Sequence, residues 1–178
     1  NADVLAKIFT GAISNWNDPA IAALNSGVSL PDQKITPIYR SDSSGTTDNF
    51  QKYLAAAAPQ TWTKGAGKEF QGGAGEGAQK SAGVVQAVQA TPGAIGYVEK
   101  GFADQAKLTA AQIDTGSGPV ALSDDSAKTA IDSAKFAKDG NDQSGLCSST
   151  NGFWSDADWL GCRDDKWRPI EPGTFPLV

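Results

Sequence analysis

The sequence contains no histidine and no methionine, and it has only two cysteines among its 178 residues. The absence of histidine excludes the Ser-His-Asp triad, the Cys-His pair and every zinc site that uses an imidazole ligand. Two cysteines are also too few for a four-cysteine metal site. Most hydrolase and zinc-enzyme chemistry is therefore excluded, and we expect no catalytic residue, no cofactor and no metal.

Positive charge is also in short supply, since 15 Lys and Arg face 20 Asp and Glu for a net charge of −5. This balance argues against a nucleic-acid partner, which favours a basic face. It leaves room for a small anion held by one local cluster of donors. No stretch approaches the roughly 18 consecutive apolar residues of a membrane-spanning helix. We expect neither a membrane span nor a signal peptide in this chain.

The chain begins with Asn1, which predicts an excerpt or a processed product, because translation starts at methionine. Its composition changes near Asp142: three of the five tryptophans and both cysteines, Cys147 and Cys162, lie in residues 143–178. A turn signal rich in Gly, Asn and Asp precedes this change. We therefore expect one domain over residues 1–142 and a separate, irregular tail over 143–178.

Helical and β-type patterns alternate along the first 142 residues. Apolar residues at helical spacing predict helices over residues 4–9, 46–58 and around 84–88. Short β-type runs cover residues 35–39 and 94–98. Further predicted elements are a helix opened by Asp18 and Pro19 and running to about Leu24, a strand over 119–122 and a helix over 123–138. This alternation predicts an α/β fold.

The most informative segment is a predicted strand that ends at Arg40 and runs through a short polar loop into a helix. The first residues of a helix have backbone N–H groups without partners inside the helix, and the helix dipole adds positive potential there. Ser44, Gly45 and Thr46 would direct amides and two hydroxyls to one point, which suits an oxyanion. Arg40 could reach the same point, with Asp42 holding its guanidinium by an ion pair.

Two other interpretations of this segment remain. Ser43 or Ser44 could simply cap a helix while Arg40 is a solvated surface charge. A nucleophilic Ser44 is disfavoured because the chain has no histidine to activate it. The spacing is also not that of a Walker A loop.

Residues 1–142 closely resemble the second lobe of the phosphate-binding proteins that serve ABC phosphate importers, most strongly their actinobacterial branch. The segments that carry the resemblance are LAKIFTG (5–11), NWNDP (15–19), RSDSSGTT (40–47), GAGK (65–68), GGAGEG (72–77) and PGAIGY (92–97). The resemblance implies one lobe of a type II periplasmic-binding-protein fold. It also implies a non-catalytic protein that lies outside the cytoplasm and has importer membrane subunits as partners.

For the site, the resemblance implies that Arg40, Ser44, Gly45 and Thr46 bind inorganic phosphate and that Asp42 orients Arg40. It further implies that the first lobe, whose segments would precede Asn1, supplies the remaining donors and a carboxylate that rejects sulfate. Half of such a clamp is expected to bind weakly.

The tail does not match that family in our interpretation. FWSDADW (153–159), CRDDKWRP (162–169) and PGTFPL (172–177) resemble a C-terminal piece of phage-type DNA cytosine methyltransferases, without their catalytic or cofactor-binding motifs. This leaves two alternatives to phosphate binding: a truncated or chimeric product with no working ligand site, and a methyltransferase-related fragment. Cys147 and Cys162 would be bridged in an oxidising compartment and free in the cytosol, and the sequence leaves both open.

Overall fold

A computed structural model describes residues 1–114, 116 and 118–133 of the chain. The helices are α1 (Ala2–Phe9), α2 (Pro19–Ala22), α3 (Gly45–Ala57), α4 (Lys80–Ala90), α5 (Lys100–Gln105) and α6 (Asp124–Ser133). The strands are β1 (Thr36–Arg40), β2 (Glu76–Ala78), β3 (Ala94–Gly96), β4 (Ile113–Asp114) and β5 (Pro119–Val120). The predicted α/β fold is confirmed.

The first three strands form a parallel sheet in the order β2-β1-β3. In its register, Ile38 of β1 lies beside Glu76 of β2 and Gly96 of β3. Because parallel strands place their carboxyl ends at the same edge, Arg40 at the end of β1 shares an edge with the residues that follow β2 and β3. A separate antiparallel pair joins β4 and β5, with Ile113 opposite Val120.

Local signals account for the first two helices. The Asn1 side chain caps α1 by accepting a hydrogen bond from the N–H of Val4 at 3.1 Å, and Gly11, at φ +83°, follows the end of the helix. Asp18 caps α2 in the same way, with Pro19 in the first helical position. This helix ends at Ala22, two residues earlier than the sequence predicts.

The main core is aromatic and joins α1, α3 and the end of β3. The rings of Phe50 and Tyr97 stack at 4.4 Å, and Phe9 meets Phe50 edge-on at 4.7 Å. Such aromatic pairs contribute about 0.5–1.5 kcal/mol beyond the burial of their area. A second, aliphatic cluster includes Ile38 and Val84 and packs α4 against the sheet. The two clusters hold the carboxyl edge of the sheet in a fixed position.

Three elements are absent from the sequence prediction: β2, α5 and β4. The strand β2 lies in a glycine-rich stretch that reads as a loop, because Gly75 and Gly77 have no side chain to give a β pattern. Gly75 adopts φ +99°, and a Cβ there would clash with the carbonyl oxygen of Pro37. A glycine is therefore required at position 75, because it lets the backbone before β2 approach β1 closely.

The end of the predicted last helix beyond Ser133, the tail over 143–178 and both Cys147 and Cys162 lie outside the described residues. Within the described residues, no helix is both long enough and apolar enough to span a bilayer.

Candidate anion-binding site

Arg40 lies at the end of β1 with its side chain only 11% exposed. Its guanidinium is held by the Asp42 carboxylate through two parallel bonds, Nε to Oδ1 at 2.8 Å and Nη2 to Oδ2 at 2.6 Å. The remaining nitrogen, Nη1, donates to Ser81 Oγ at 3.1 Å and lies 3.5 Å from Thr46 Oγ1. Arg40 thus keeps one edge directed at hydroxyl groups.

Asp42 also connects the loop to α4, since its Oδ1 accepts the backbone N–H of Lys80 at 2.8 Å. Lys80 adopts φ +58°, a conformation that L residues rarely take. The ion pair shifts the pKa of both partners: the hydrogen bonds from Arg40 hold the pKa of Asp42 well below its usual range, and those to Asp42 raise the pKa of Arg40. The two bonds fix the position of the Arg40 guanidinium beside Asp42, and the role of Asp42 toward a ligand stays a prediction.

The N-terminus of α3 presents the backbone groups that the sequence singles out. Ser44 is the N-cap, and its Oγ accepts the N–H of Thr47 at 3.4 Å. The N–H groups of Gly45 and Thr46 have no acceptor among the described residues. We expected the backbone N–H of Ser44 to be available to a ligand as well. It is not, because it donates to the carbonyl oxygen of Lys68 at 2.9 Å. Two amides, not three, are therefore free for a ligand at the positive end of the helix.

A buried glutamine holds the Lys68 carbonyl in place. Gln51 of α3 donates to the carbonyl oxygens of Gly67 at 2.7 Å and Glu69 at 3.0 Å, and its Oε1 accepts the N–H of Gln71 at 2.7 Å. These three bonds fasten the segment 67–71 along the helix. The position of the Ser44 cap therefore depends on a contact between α3 and a loop more than fifteen residues away.

Tyr97 lies just after β3, is 1% exposed and connects the end of β1 to the start of α3. Its hydroxyl accepts the backbone N–H of Arg40 at 3.2 Å and forms a hydrogen bond of 2.8 Å with Thr47 Oγ1. Burial raises the pKa of this hydroxyl. Tyr97 therefore stays neutral and fixes the spacing between Arg40 and the first turn of α3.

Two residues of the site were not identified from the sequence. Ser81, 5% exposed, accepts from Arg40, and Glu99 Oε1 accepts the hydroxyl of Thr46 at 2.9 Å. Both follow strands that end at the edge where Arg40 lies. Glu99 could have been found from the sequence, because it directly follows the predicted strand over 94–98 and ligands bind at the carboxyl ends of parallel strands. Ser81 follows β2, which was not predicted.

The arrangement offers hydrogen-bond donors to an anion. The Arg40 guanidinium, the two free amides and the Ser44 hydroxyl lie around the start of α3, with Asp42 and Glu99 as the adjacent carboxylates. No base partners a serine hydroxyl among the described side chains of the site. In the described part of the chain, no group of three or more potential metal ligands comes together.

Comparisons with known proteins agree on one family. A family model described as a PBP superfamily domain matches residues 1–153. Phosphate-binding protein PstS 3 of Mycobacterium tuberculosis is 47% identical over 176 residues, which cover 98% of this chain and 43% of that protein. PstS 2 of the same organism is 45% identical over 175 residues, or 97% of this chain and 43% of the relative.

The matches bear on the tail as well. Because the mycobacterial alignments cover 97–98% of the chain, they include most of residues 143–178. The chimeric and methyltransferase-related alternatives are therefore not favoured. The family match also runs past residue 142, so the domain boundary there stays a prediction.

Among solved structures, a phosphate-binding protein from Stenotrophomonas maltophilia is 23% identical, with a TM-score of 0.41 over 55% of this chain and 30% of that one. The chain spans less than half the length of the curated relatives named above. The family model matches most of the chain, and the described residues have the α/β architecture expected of one lobe. The chain belongs to the PBP superfamily.

Proposed function

We propose that this chain binds inorganic phosphate through Arg40 and the first turn of α3. The observation that carries the proposal is the combination of a fixed guanidinium with two backbone amides, those of Gly45 and Thr46, that have no acceptor among the described residues. A tetrahedral oxyanion has several acceptor oxygens and can satisfy all of these donors at once. The helix dipole contributes further, typically about 0.3–1 kcal/mol.

The identity of the anion follows from the relatives, whose names describe them as phosphate-binding. Ser44 is assigned as a further ligand through its hydroxyl, since its amide is occupied by Lys68. Asp42 is assigned to orient Arg40 and not to contact the ligand. The protein acts in binding and not in catalysis.

We extend the proposal to the longer protein to which such a lobe would belong. It would be the substrate-binding component of an ABC phosphate importer, working outside the cytoplasm with the importer's membrane subunits. The chain accounts for 43% of the length of its relatives, so further donors would come from the remaining length. Binding by this chain alone is therefore expected in the millimolar range, about 4 kcal/mol of binding free energy.

Isothermal titration calorimetry with phosphate at low salt and neutral pH tests the proposal. The wild-type chain should give a saturable signal, and Arg40→Gln should weaken it by about tenfold or more, because a charged hydrogen bond is lost. Lys52→Gln is the matched control: it removes one positive charge from α3, where Lys52 pairs with Asp48 on the exposed side. Absence of saturation in the wild type would support the alternative of a chain without a working ligand site.

A further inference from the structure

Glu99 is an acidic residue inside a site that otherwise presents donors. It immediately precedes α5, and its Oε1 accepts the hydroxyl of Thr46 at 2.9 Å. Its other oxygen, Oε2, is buried and has no hydrogen-bond partner among the described residues. A buried carboxylate oxygen without a donor is costly, and such atoms are uncommon in folded proteins. This contact therefore calls for a functional explanation.

The hydroxyl of Thr46 has a single hydrogen to donate. Glu99 takes that hydrogen, while Arg40 Nη1 lies on the acceptor side of the same oxygen at 3.5 Å. In this arrangement Thr46 offers an anion its backbone N–H but not its hydroxyl hydrogen. An anion that takes the hydroxyl hydrogen must displace Glu99, which then has neither oxygen paired.

The negative charges near Arg40 also disfavour the binding of an anion. Asp42 already binds two nitrogens of the Arg40 guanidinium, so its positive charge is matched by one carboxylate. Glu99 adds a second negative charge within reach of the same side chains. Like charges at short range in a partly buried site repel more strongly than in water.

We infer that Glu99 is a positioning residue that competes with the ligand for the hydroxyl hydrogen of Thr46 and thereby lowers the affinity of the site for an oxyanion. The inference rests on the proposed function, since it concerns the same site. It assigns to Glu99 a negative effect on affinity, which is opposite to the effect of Arg40.

A double-mutant cycle measured with inorganic phosphate tests this. In Glu99→Gln the side chain keeps its size, loses its charge and can donate an amide hydrogen to Thr46 Oγ1, which frees the hydroxyl hydrogen for phosphate. We expect phosphate to bind about tenfold more tightly, the effect of one hydrogen bond to a charged group. In the Thr46→Val background the same substitution should give a gain of less than about threefold, because the hydroxyl is absent.

Glu76→Gln is the matched control, because Glu76 is exposed on the neighbouring strand and its loss changes the net charge by the same amount. Its affinity for phosphate should stay within about twofold of the wild type. Thermal unfolding of every variant without phosphate shows whether each one folds.

A second measurement needs no variant. The ¹³C resonance of the Glu99 side-chain carboxyl should move as phosphate saturates the wild-type chain, because the carboxylate loses its donor. An unmoved resonance, weaker binding by Glu99→Gln, or an equal gain in both backgrounds would each overturn the inference while leaving the proposed function intact. A wild-type chain that does not bind phosphate would overturn the proposed function and this inference with it.

Discussion

Arg40 and Asp42 are joined by two parallel hydrogen bonds although only one residue separates them in the chain, with Nε–Oδ1 at 2.8 Å and Nη2–Oδ2 at 2.6 Å. The Asp42 carboxylate occupies one edge of the guanidinium and leaves Nη1 directed at the hydroxyls of Thr46 and Ser81. Asp42 therefore determines which edge of Arg40 a ligand can meet. The charge of the pair is balanced, so the free donors and not net charge make the site suitable for an anion.

The Arg40–Asp42 pair should make stability depend on pH in the acid range. The pKa of Asp42 is lowered in the folded state, so its contribution is complete above the ordinary aspartate pKa of about 4 and is lost as the pH falls toward the folded value. Asp42→Asn should therefore reduce the steepness with which the free energy of unfolding falls below about pH 4. Urea denaturation between neutral and strongly acidic pH measures this.

Part of the acid dependence should persist in that variant, because the pKa values of Asp3 and Asp114 are also lowered, by hydrogen bonds from Lys7 and from the amide of Gly116 respectively. Asp125→Asn, an exposed position on α6, is the control and should retain the wild-type slope. An Asp42→Asn slope equal to that of the wild type would contradict the prediction.

Gly45→Pro isolates a single backbone donor. Gly45 is the first residue of α3, where proline is tolerated, and Ser44 before it has the extended conformation that proline requires of its neighbour, φ −150° and ψ 133°. The substitution removes one free N–H and should weaken phosphate binding about tenfold, with little change in thermal stability without phosphate. Calorimetric titration and thermal unfolding measure the two effects.

Gly45→Ala is the matched variant, because it also replaces the glycine but keeps the N–H. It should bind phosphate more tightly than Gly45→Pro. Equal affinities of the two variants would show that the Gly45 amide does not contact the ligand.

Tyr97→Phe should destabilise the fold by about 1–3 kcal/mol. The substitution keeps the stacked ring on Phe50 but leaves the N–H of Arg40 and the hydroxyl of Thr47 without their shared partner. Tyr39→Phe is the control: its ring stacks on Phe70, and its hydroxyl makes no hydrogen bond among the described residues. A loss of stability no greater than that of the control would refute the assigned role of the Tyr97 hydroxyl.

Gln51→Leu should destabilise the chain and disturb the Ser44 cap. The buried side chain satisfies two carbonyl oxygens and one N–H of the segment 67–71, and leucine of similar size satisfies none of them. We expect a loss of at least about 2 kcal/mol in the free energy of unfolding. Hydrogen exchange supplies the specific readout, since the amide of Ser44 should lose its protection when Lys68 is released. Protection equal to that of the wild type would contradict this coupling.

Local chemistry made the centre of the site predictable from the sequence. The ion pair of Arg40 and Asp42, the capping Ser44 and the helix that begins at Gly45 all lie within six consecutive residues, where spacing alone constrains geometry. The end of α1 and both ends of α3 were predictable to within one residue for the same reason, because capping residues and apolar periodicity are local signals. The start of α1 was not, since this helix begins at Ala2, two residues before the predicted start.

The remaining parts of the site depend on contacts between distant segments. Glu99 reaches Thr46 only because β3 pairs directly with β1, and Ser81 reaches Arg40 only because β2 pairs on the other side. Strand order is not a local property of the sequence. The occupied amide of Ser44 was also unpredictable, since it depends on how Gln51 positions the segment around Lys68.

The most direct test of anion binding follows the backbone amides of Gly45 and Thr46 by ¹H–¹⁵N NMR during a phosphate titration, with chloride at equal ionic strength as the control. These two N–H groups have no acceptor among the described residues and are the donors proposed to bind the ligand. We predict that both resonances shift downfield in a saturable manner with phosphate and stay in place with chloride. Saturable binding that moves other amides and leaves these two unchanged would contradict the account.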